Sequence, residues 1–141
     1  METKDIVEIY QLESLLQHAV DHPDQSLFPQ VFTPDARFDG RGCGGPLIEG
    51  IEAIQAFFAL GKPPHPAAHH TLNPWVHEEN GRVMVKQKWL IPNPSNGLFI
   101  GGDDNDWVVR TADGWRIKER VAMLRFPLGA TVEESMNSSG T

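Results

Sequence analysis

Three Asx-Gly pairs punctuate the second half of the chain: Asn80-Gly81, Asn96-Gly97 and Asp113-Gly114. Each lies between segments rich in Val, Ile, Trp and Phe. A two-residue type I′ turn needs φ > 0 at both central positions, which Asn or Asp followed by Gly adopts at least cost. Three such turns at even spacing predict four long antiparallel strands in one meander, over 67–79, 82–93, 98–112 and 115–126. Alternation supports the second strand, where Val83, Val85, Gln87 and Trp89 oppose Met84, Lys86, Lys88 and Leu90. It supports the fourth as well, with Trp115, Ile117, Glu119, Val121 and Met123 against Arg116, Lys118, Arg120, Ala122 and Leu124.

The first half reads as helix. Ile6, Ile9, Leu12, Leu16 and Ala19 recur at helical spacing over 3–20, with Val7, Leu15 and Val20 widening the stripe and Thr3 as N-cap. The helix stops before Asp21-His22-Pro23, because the residue preceding proline is pushed out of the α region. A second helix is expected over roughly 24–32, burying Leu27, Val31 and Phe32. A turn at Thr33-Pro34-Asp35 and a short strand over 36–40 follow. Five glycines between 40 and 50 predict a loop or loose hairpin. A third helix is expected over 50–60, with Ile51, Ile54, Phe57 and Phe58 inward and Gly61 as its stop. Helices followed by a curved meander make an α+β domain with a pocket between the two layers. The domain is expected to span 1–128, with a small, polar and disordered tail over 129–141.

Composition narrows the function. A net charge of −7, with the basic residues scattered, argues against nucleic acid as a partner. No apolar run reaches the length of a membrane span. The N-terminus lacks the basic-then-apolar pattern of a signal peptide, and one cysteine, Cys43, cannot form an internal disulfide. A cytoplasmic protein acting on a small molecule is the expectation, with no membrane partner.

Chemistry then rests on polar residues placed to face the pocket. Asp21 ends the first helix, and His69 and His70 open the first long strand. Neighbours on a strand point to opposite faces, so only one of these histidines looks inward. His70 shares a face with Leu72 and Val76, which suit an apolar lining, and is the expected pocket residue. A carboxylate beside it would fix the tautomer and leave the imidazole to move a proton at neutral pH. Asp106 and Arg110 share a face of the third strand, and Arg120 lies in the fourth. Trp75, Trp89 and Phe57 are candidate apolar lining for a ligand. The spacing of His65, His69, His70 and His77 matches no strong ligand motif, so neither metal nor cofactor is expected. Cys43 has no basic companion in sequence to activate it.

The order of these segments resembles a known family. Ala19-Val-Asp21, Phe32-Thr-Pro-Asp-Ala-Arg-Phe38, Gly50-Ile-Glu-Ala-Ile-Gln-Ala-Phe-Phe58, Ala68-His-His-Thr-Leu-Asn73 and Asp106-Trp-Val-Val-Arg110 through Arg120 together resemble the SnoaL-like branch of the nuclear transport factor 2-like superfamily. The resemblance implies a cone-shaped, barrel-like α+β fold, a bent sheet wrapped around three helices with a deep apolar pocket. It also implies a homodimer through the outer face of the sheet. Members related to scytalone dehydratase, bile-acid dehydratase and hexachlorocyclohexane dehydrochlorinase eliminate water or HCl with a His–Asp pair, and Asp21 and His70 match those positions. The tyrosine that some of these dehydratases carry about five residues before the Asp is Leu16 here. Polyketide cyclases, ketosteroid isomerases, epoxide hydrolases and non-catalytic members share the fold. Epoxide hydrolysis in it uses an Asp–Arg–Asp set, which Asp106, Arg110 or Arg120, and Asp21 could supply. The expectation is a cofactor-independent lyase or isomerase of dehydratase type, acting on a small hydrophobic, cyclic carbonyl compound. Asp21 and His70 would be catalytic, with Trp75, Trp89, Phe57, Asp106 and Arg120 binding substrate.

Overall fold

The computed structural model describes residues 1–21, 25–60, 68–93 and 96–126. The expected tail over 129–141, the Gly61 stop and His65 lie outside the described residues. Helix α1 spans Thr3–Asp21, a single 3₁₀ turn covers Gln25–Leu27, and α2 spans Phe28–Val31. Strands β1 (Phe32–Gly42) and β2 (Leu47–Glu49) follow, then α3 (Ile51–Leu60). The meander consists of β3 (His70–Glu79), β4 (Arg82–Pro92), β5 (Phe99–Thr111) and β6 (Gly114–Phe126).

All six strands form one sheet in the order β2-β1-β6-β5-β4-β3. Every pairing is antiparallel except β1 with β6. The four-strand meander is therefore as expected, but the sheet is open, with β2 and β3 at its edges, and does not close into a barrel. Thr33-Pro34-Asp35 belongs to β1 and is not a turn. Pro34 is tolerated there because the register with β6 breaks between Phe32 and Arg37, so no ladder donor is demanded of it. The glycine-rich stretch makes the tight β1–β2 hairpin, in which the Gly40 and Gly45 amides donate to Pro46 and Gly40 carbonyls at 2.9 Å.

The three Asx-Gly pairs do not make the same turn. Asn80 and Gly81 have φ of 52° and 75°, as a type I′ turn requires. At the last hairpin, Thr111 pairs with Gly114, so Ala112 and Asp113 form the turn and Gly114 opens β6 at φ 107°. Between β4 and β5 the connection is longer, and is closed by the Asn93 amide donating to the Leu98 carbonyl at 2.7 Å.

The inner face of the sheet buries α1. The core joins Ile9, Leu12, Leu16 and Ala19 of α1 to Phe28, Val31 and Phe32, Ile54 of α3, and Val85, Val108 and Ile117 of the sheet. Side chains of this one helix bond to all four meander strands. Tyr10 donates to the Pro74 carbonyl, Gln17 to Thr71, Gln87 to Glu13, and Arg120 to Glu13, while Asp5 accepts from Arg110 and Trp115. Strands lie about 4.8 Å apart, so a flat sheet would place its outer strands beyond such a helix. The sheet is curved around α1.

Two β-bulges decide what that curve encloses. In β3 the register with β4 shifts between Leu72 and Trp75, where Asn73 takes φ 54°. Thr71 pairs with inward Trp89 and Val76 with inward Val85, although they are an odd number of residues apart. In β6 the register with β5 shifts between Trp107 and Val108, leaving Lys118 as the extra residue. Ile117 and Arg120 both turn inward as a result, and both are buried.

Candidate active site

Asp21 is the last residue of α1, and the chain entering β3 runs past it. One Asp21 carboxylate oxygen accepts the backbone N–H of His69 at 2.8 Å, and the other meets Nδ1 of the His69 ring. Both side chains are largely buried. An ionised carboxylate only accepts, so against it the His69 ring presents a protonated Nδ1. The backbone contact adds a second restraint on the same carboxylate, fixing the geometry of the pair.

This corrects the expected partner of Asp21. His70 pairs with Leu90 on the outer face and is exposed. The inference that His70 shares a face with Val76 assumed unbroken alternation, and the bulge at Asn73 reverses it. Trp75 is likewise displaced from the pocket: it faces outward opposite Lys86, is 58% exposed, and stacks on His77 at 4.2 Å. Trp89 does face inward and is buried against Ile91 and Ile100, with Cys43 and Leu124 alongside. Its ring lies over Gly102, where an added Cβ would come within 2.5 Å of the indole. The indole N–H of Trp89 has no hydrogen-bond partner among the described residues. Phe57 packs edge-on against Phe58 and beside Phe38, with part of its ring exposed.

A buried charge cluster centres on Arg120 at the inner face of the sheet. The Arg120 guanidinium grips Asp106 through Nε at 2.8 Å and through Nη2, which also donates to Glu13 at 2.7 Å. Its Nη1 lies 3.1 Å from Asp104. Gln87 donates to the same Glu13 oxygen at 2.9 Å. Asp106 is completely buried, and Arg120 and Asp104 nearly so, each held by the others. Arg110 does not join them. It sits over the Trp115 ring and bonds to Asp5 at the far end of α1. Of the Asp106–Arg–Asp21 set considered for hydrolysis, Asp106 and Arg120 do meet, and Arg120 also holds Asp104 and Glu13.

Three carboxylates around one guanidinium carry more negative charge than it can offset. Burial, aided by the Asp106 charge, pushes the Glu13 carboxyl well above the usual range against the pull of Arg120. Burial likewise raises Asp104 to about 6; Arg120 opposes the rise, Asp106 adds to it, and His69 and Gln87 act against it. Burial would by itself lower Arg120, but Asp104, Asp106 and Glu13 hold it firmly protonated. Burial, then the Asp104 charge, pushes the Cys43 thiol up to about 12, so this sulfur is not a nucleophile at neutral pH.

The sequence alone does not single out Glu13, Gln17, Gln87 or Asp104. A signal was present for two of them. Ile9, Leu12, Glu13, Leu16 and Gln17 follow the i, i+3, i+4, i+7, i+8 pattern of a buried face, so polar residues there had to find partners inside. Among the described residues, no group of three or more His, Cys, Asp or Glu side chains is arranged to hold a metal ion. No described helix is long and apolar enough to cross a membrane.

Comparison with known proteins agrees with this architecture. The family model of the SnoaL-like domain matches residues 1–121. An uncharacterised protein of Mycobacterium tuberculosis H37Rv, Rv2910c, is 32% identical over 133 residues, covering 89% of this chain and 88% of the relative. A crystal structure of a nuclear transport factor 2-like protein with a cystatin-like fold from Novosphingobium aromaticivorans superposes with a TM-score of 0.73. It is 19% identical and covers 96% of this chain and 90% of that one. A protein of unknown function with a cystatin-like fold from Nostoc punctiforme gives a TM-score of 0.76 at 16% identity, over 92% and 97% of the two chains. The chain is a member of the SnoaL-like family, with the nuclear transport factor 2-like fold.

Proposed function

We propose that this protein is a cofactor-independent lyase of dehydratase type, in which His69 and Asp21 form the acid–base pair. The observation that carries the reading is the double contact of Asp21 with the His69 ring and amide. Asp21 holds the proton on Nδ1, orients the ring, and stabilises the imidazolium once Nε2 has taken a proton from carbon. The substrate class is a small hydrophobic, cyclic compound with a carbonyl that acidifies the α-carbon. The unpartnered indole N–H of Trp89 is a donor for the oxygen on which enolate charge develops. Phe57 and Trp89 supply apolar lining. Loss of a β-hydroxyl gives dehydration; reprotonation at another carbon gives isomerisation.

The test is a panel of cyclic β-hydroxy ketones, followed for dehydration and for exchange of the α-proton in D₂O. His69→Ala and Asp21→Asn should each slow both by roughly 10²–10⁴-fold, and His70→Ala should leave them within a factor of about three. Normal exchange in His69→Ala would remove the pair from the mechanism.

A second reading is hydrolytic, favoured by the grouping of Asp104 and Asp106 on Arg120. It predicts solvent ¹⁸O in a diol product formed from an epoxide, which elimination cannot give. We propose further that the outer face of the sheet forms a homodimer. Exposed Trp75 and Met123 border a depression of about 440 Å³ there, with Lys86, Lys88, Asp103 and Arg125 around it.

A further inference from the structure

Elimination of water needs two proton transfers. One removes a proton from carbon; the other protonates the departing oxygen, since hydroxide leaves poorly at neutral pH. His69 provides for the first. The protein must hold a second group for the other, and few side chains qualify. Tyr10 is the chain's single tyrosine, and its hydroxyl is spent on the Pro74 carbonyl at 2.9 Å. Cys43 holds its proton too tightly to give it up. Glu13 and Asp106 are wedged beneath the guanidinium. Asp106 takes Nε and Nη2 of Arg120 together, while Glu13 takes Nη2 and the Gln87 amide.

Asp104 differs from both. It lies on the inner face of β5, directly across from Gln87 on β4 and Ala122 on β6. Arg120 reaches it through Nη1 alone, at 3.1 Å. The next inward position toward the open end of β5 is Gly102, beneath the Trp89 indole, and Trp89 pairs in turn with Thr71, two residues from His69. Asp104 is therefore the carboxyl at the site end of the cluster, and its charge is felt by both His69 and Cys43. It can gain or lose a proton without breaking the two-point grip of Arg120 on Asp106.

We propose that Asp104 is the general acid of this site, protonating the β-hydroxyl as it leaves while His69 takes the α-proton. The inference rests on the elimination reading above. Nε2 of His69 accepts the proton from Cα, and the C–H electron pair forms the new C=C bond. The C–O bond breaks with its pair on oxygen, which takes the Asp104 proton and departs as water. The site is left with imidazolium and carboxylate, and one proton passed from His69 to Asp104 through solvent restores it. The charges of Arg120, Asp106 and His69 act on Asp104, Gln87 bonds to it from β4, and its own charge acts on Cys43. The balance of Arg120 against burial and Asp106 leaves its proton labile, at about 6.

Asp104→Asn tests this with two leaving groups. On a β-hydroxy ketone the variant should lose about 10²–10³-fold in dehydration rate, yet keep α-proton exchange in D₂O within a few-fold of wild type. On the matching β-(4-nitrophenoxy) ketone, whose leaving group departs without a proton, the loss should shrink to about threefold. An equal loss on both substrates, or no loss on either, overturns the assignment. A carboxyl-¹³C NMR titration of the free protein reads the same claim without substrate. Asp104 titrating near 6 supports it, and titration below pH 4 overturns it. Failure of wild type to exchange any α-proton on the panel would count against His69 and the elimination reading, and the titration would still decide whether Asp104 holds a transferable proton.

Discussion

Replacing Asp104 by Asn should change how the stability of this protein depends on pH. An exposed aspartate titrates near 3.8, whereas burial and the neighbouring Asp106 charge place Asp104 at about 6 in the fold. Between those values the folded chain binds one proton that the unfolded chain has released. Stability must then fall as pH rises, by about 1.4 kcal/mol per unit across the window. Over the roughly two units separating the values, this amounts to about 3 kcal/mol, fully lost above pH 6–7. Glu13 acts in the same sense, because burial raises it also. Asp39 acts oppositely, but Arg41 holds it at about 2, so its contribution is lost at lower pH and does not enter the window. Urea unfolding from pH 4.5 to 8 measures the effect. The range from pH 4.5 upward covers about 1.5 units of that window, or about 2 kcal/mol. With an m-value of about 2 kcal/mol/M, the midpoint of wild type should drop by roughly 1 M, more than that of Asp104→Asn. Parallel curves for the two proteins would refute the reasoning, as would a wild-type midpoint that rises through the window.

Other outcomes follow from the charge cluster and the packing around it. Arg120→Met leaves Glu13, Asp104 and Asp106 buried without their cation, and should cost about 3–5 kcal/mol at pH 8, with part regained at pH 5 as carboxyls protonate; equal loss at both pH values in urea unfolding would contradict this. Gly102→Ala would set a Cβ 1.9 Å from the Met123 carbonyl oxygen and 2.5 Å from the Trp89 ring. It should destabilise by at least about 1–3 kcal/mol and shift tryptophan emission, as read by thermal unfolding and fluorescence. Cys43, pushed up to about 12, should react with a disulfide reagent at pH 8 about 10³-fold more slowly than a free thiol. Trp75→Glu should convert the proposed dimer to monomer in light scattering, whereas an unchanged mass would place the interface elsewhere.

Much of this architecture is legible in the sequence because local chemistry and tertiary fold agree. Asn80-Gly81 can close its hairpin on dihedral grounds alone, and the strand limits fall within a few residues of those the alternation implies. Asp21 at the end of α1 is legible through the proline that follows. The choice between His69 and His70 is not, because it depends on a bulge at Asn73 that no period-two pattern contains. The bulge at Lys118 works the same way: it turns Arg120 into the core beside Ile117, although strict alternation sets the two on opposite faces. Glu13 and Asp104 are not legible in the sequence, because a carboxylate in a helix or strand ordinarily faces water. Only the curvature of the sheet around α1 brings both to one guanidinium. The substitution of an open sheet for a barrel has a similar cause, since closure depends on edge strands that hairpin signals do not reach.

In the proposed mechanism Asp21 fixes the tautomer of His69 and leaves His70 alone. Long-range ¹H–¹⁵N NMR of the histidine rings reads this directly at neutral pH. The expected result is a His69 ring with its proton on Nδ1 and a downfield signal that is lost in Asp21→Asn, while the His70 signals do not move. A His69 ring protonated on Nε2 alone, or an Asp21→Asn change that shifts His70 and spares His69, would contradict it.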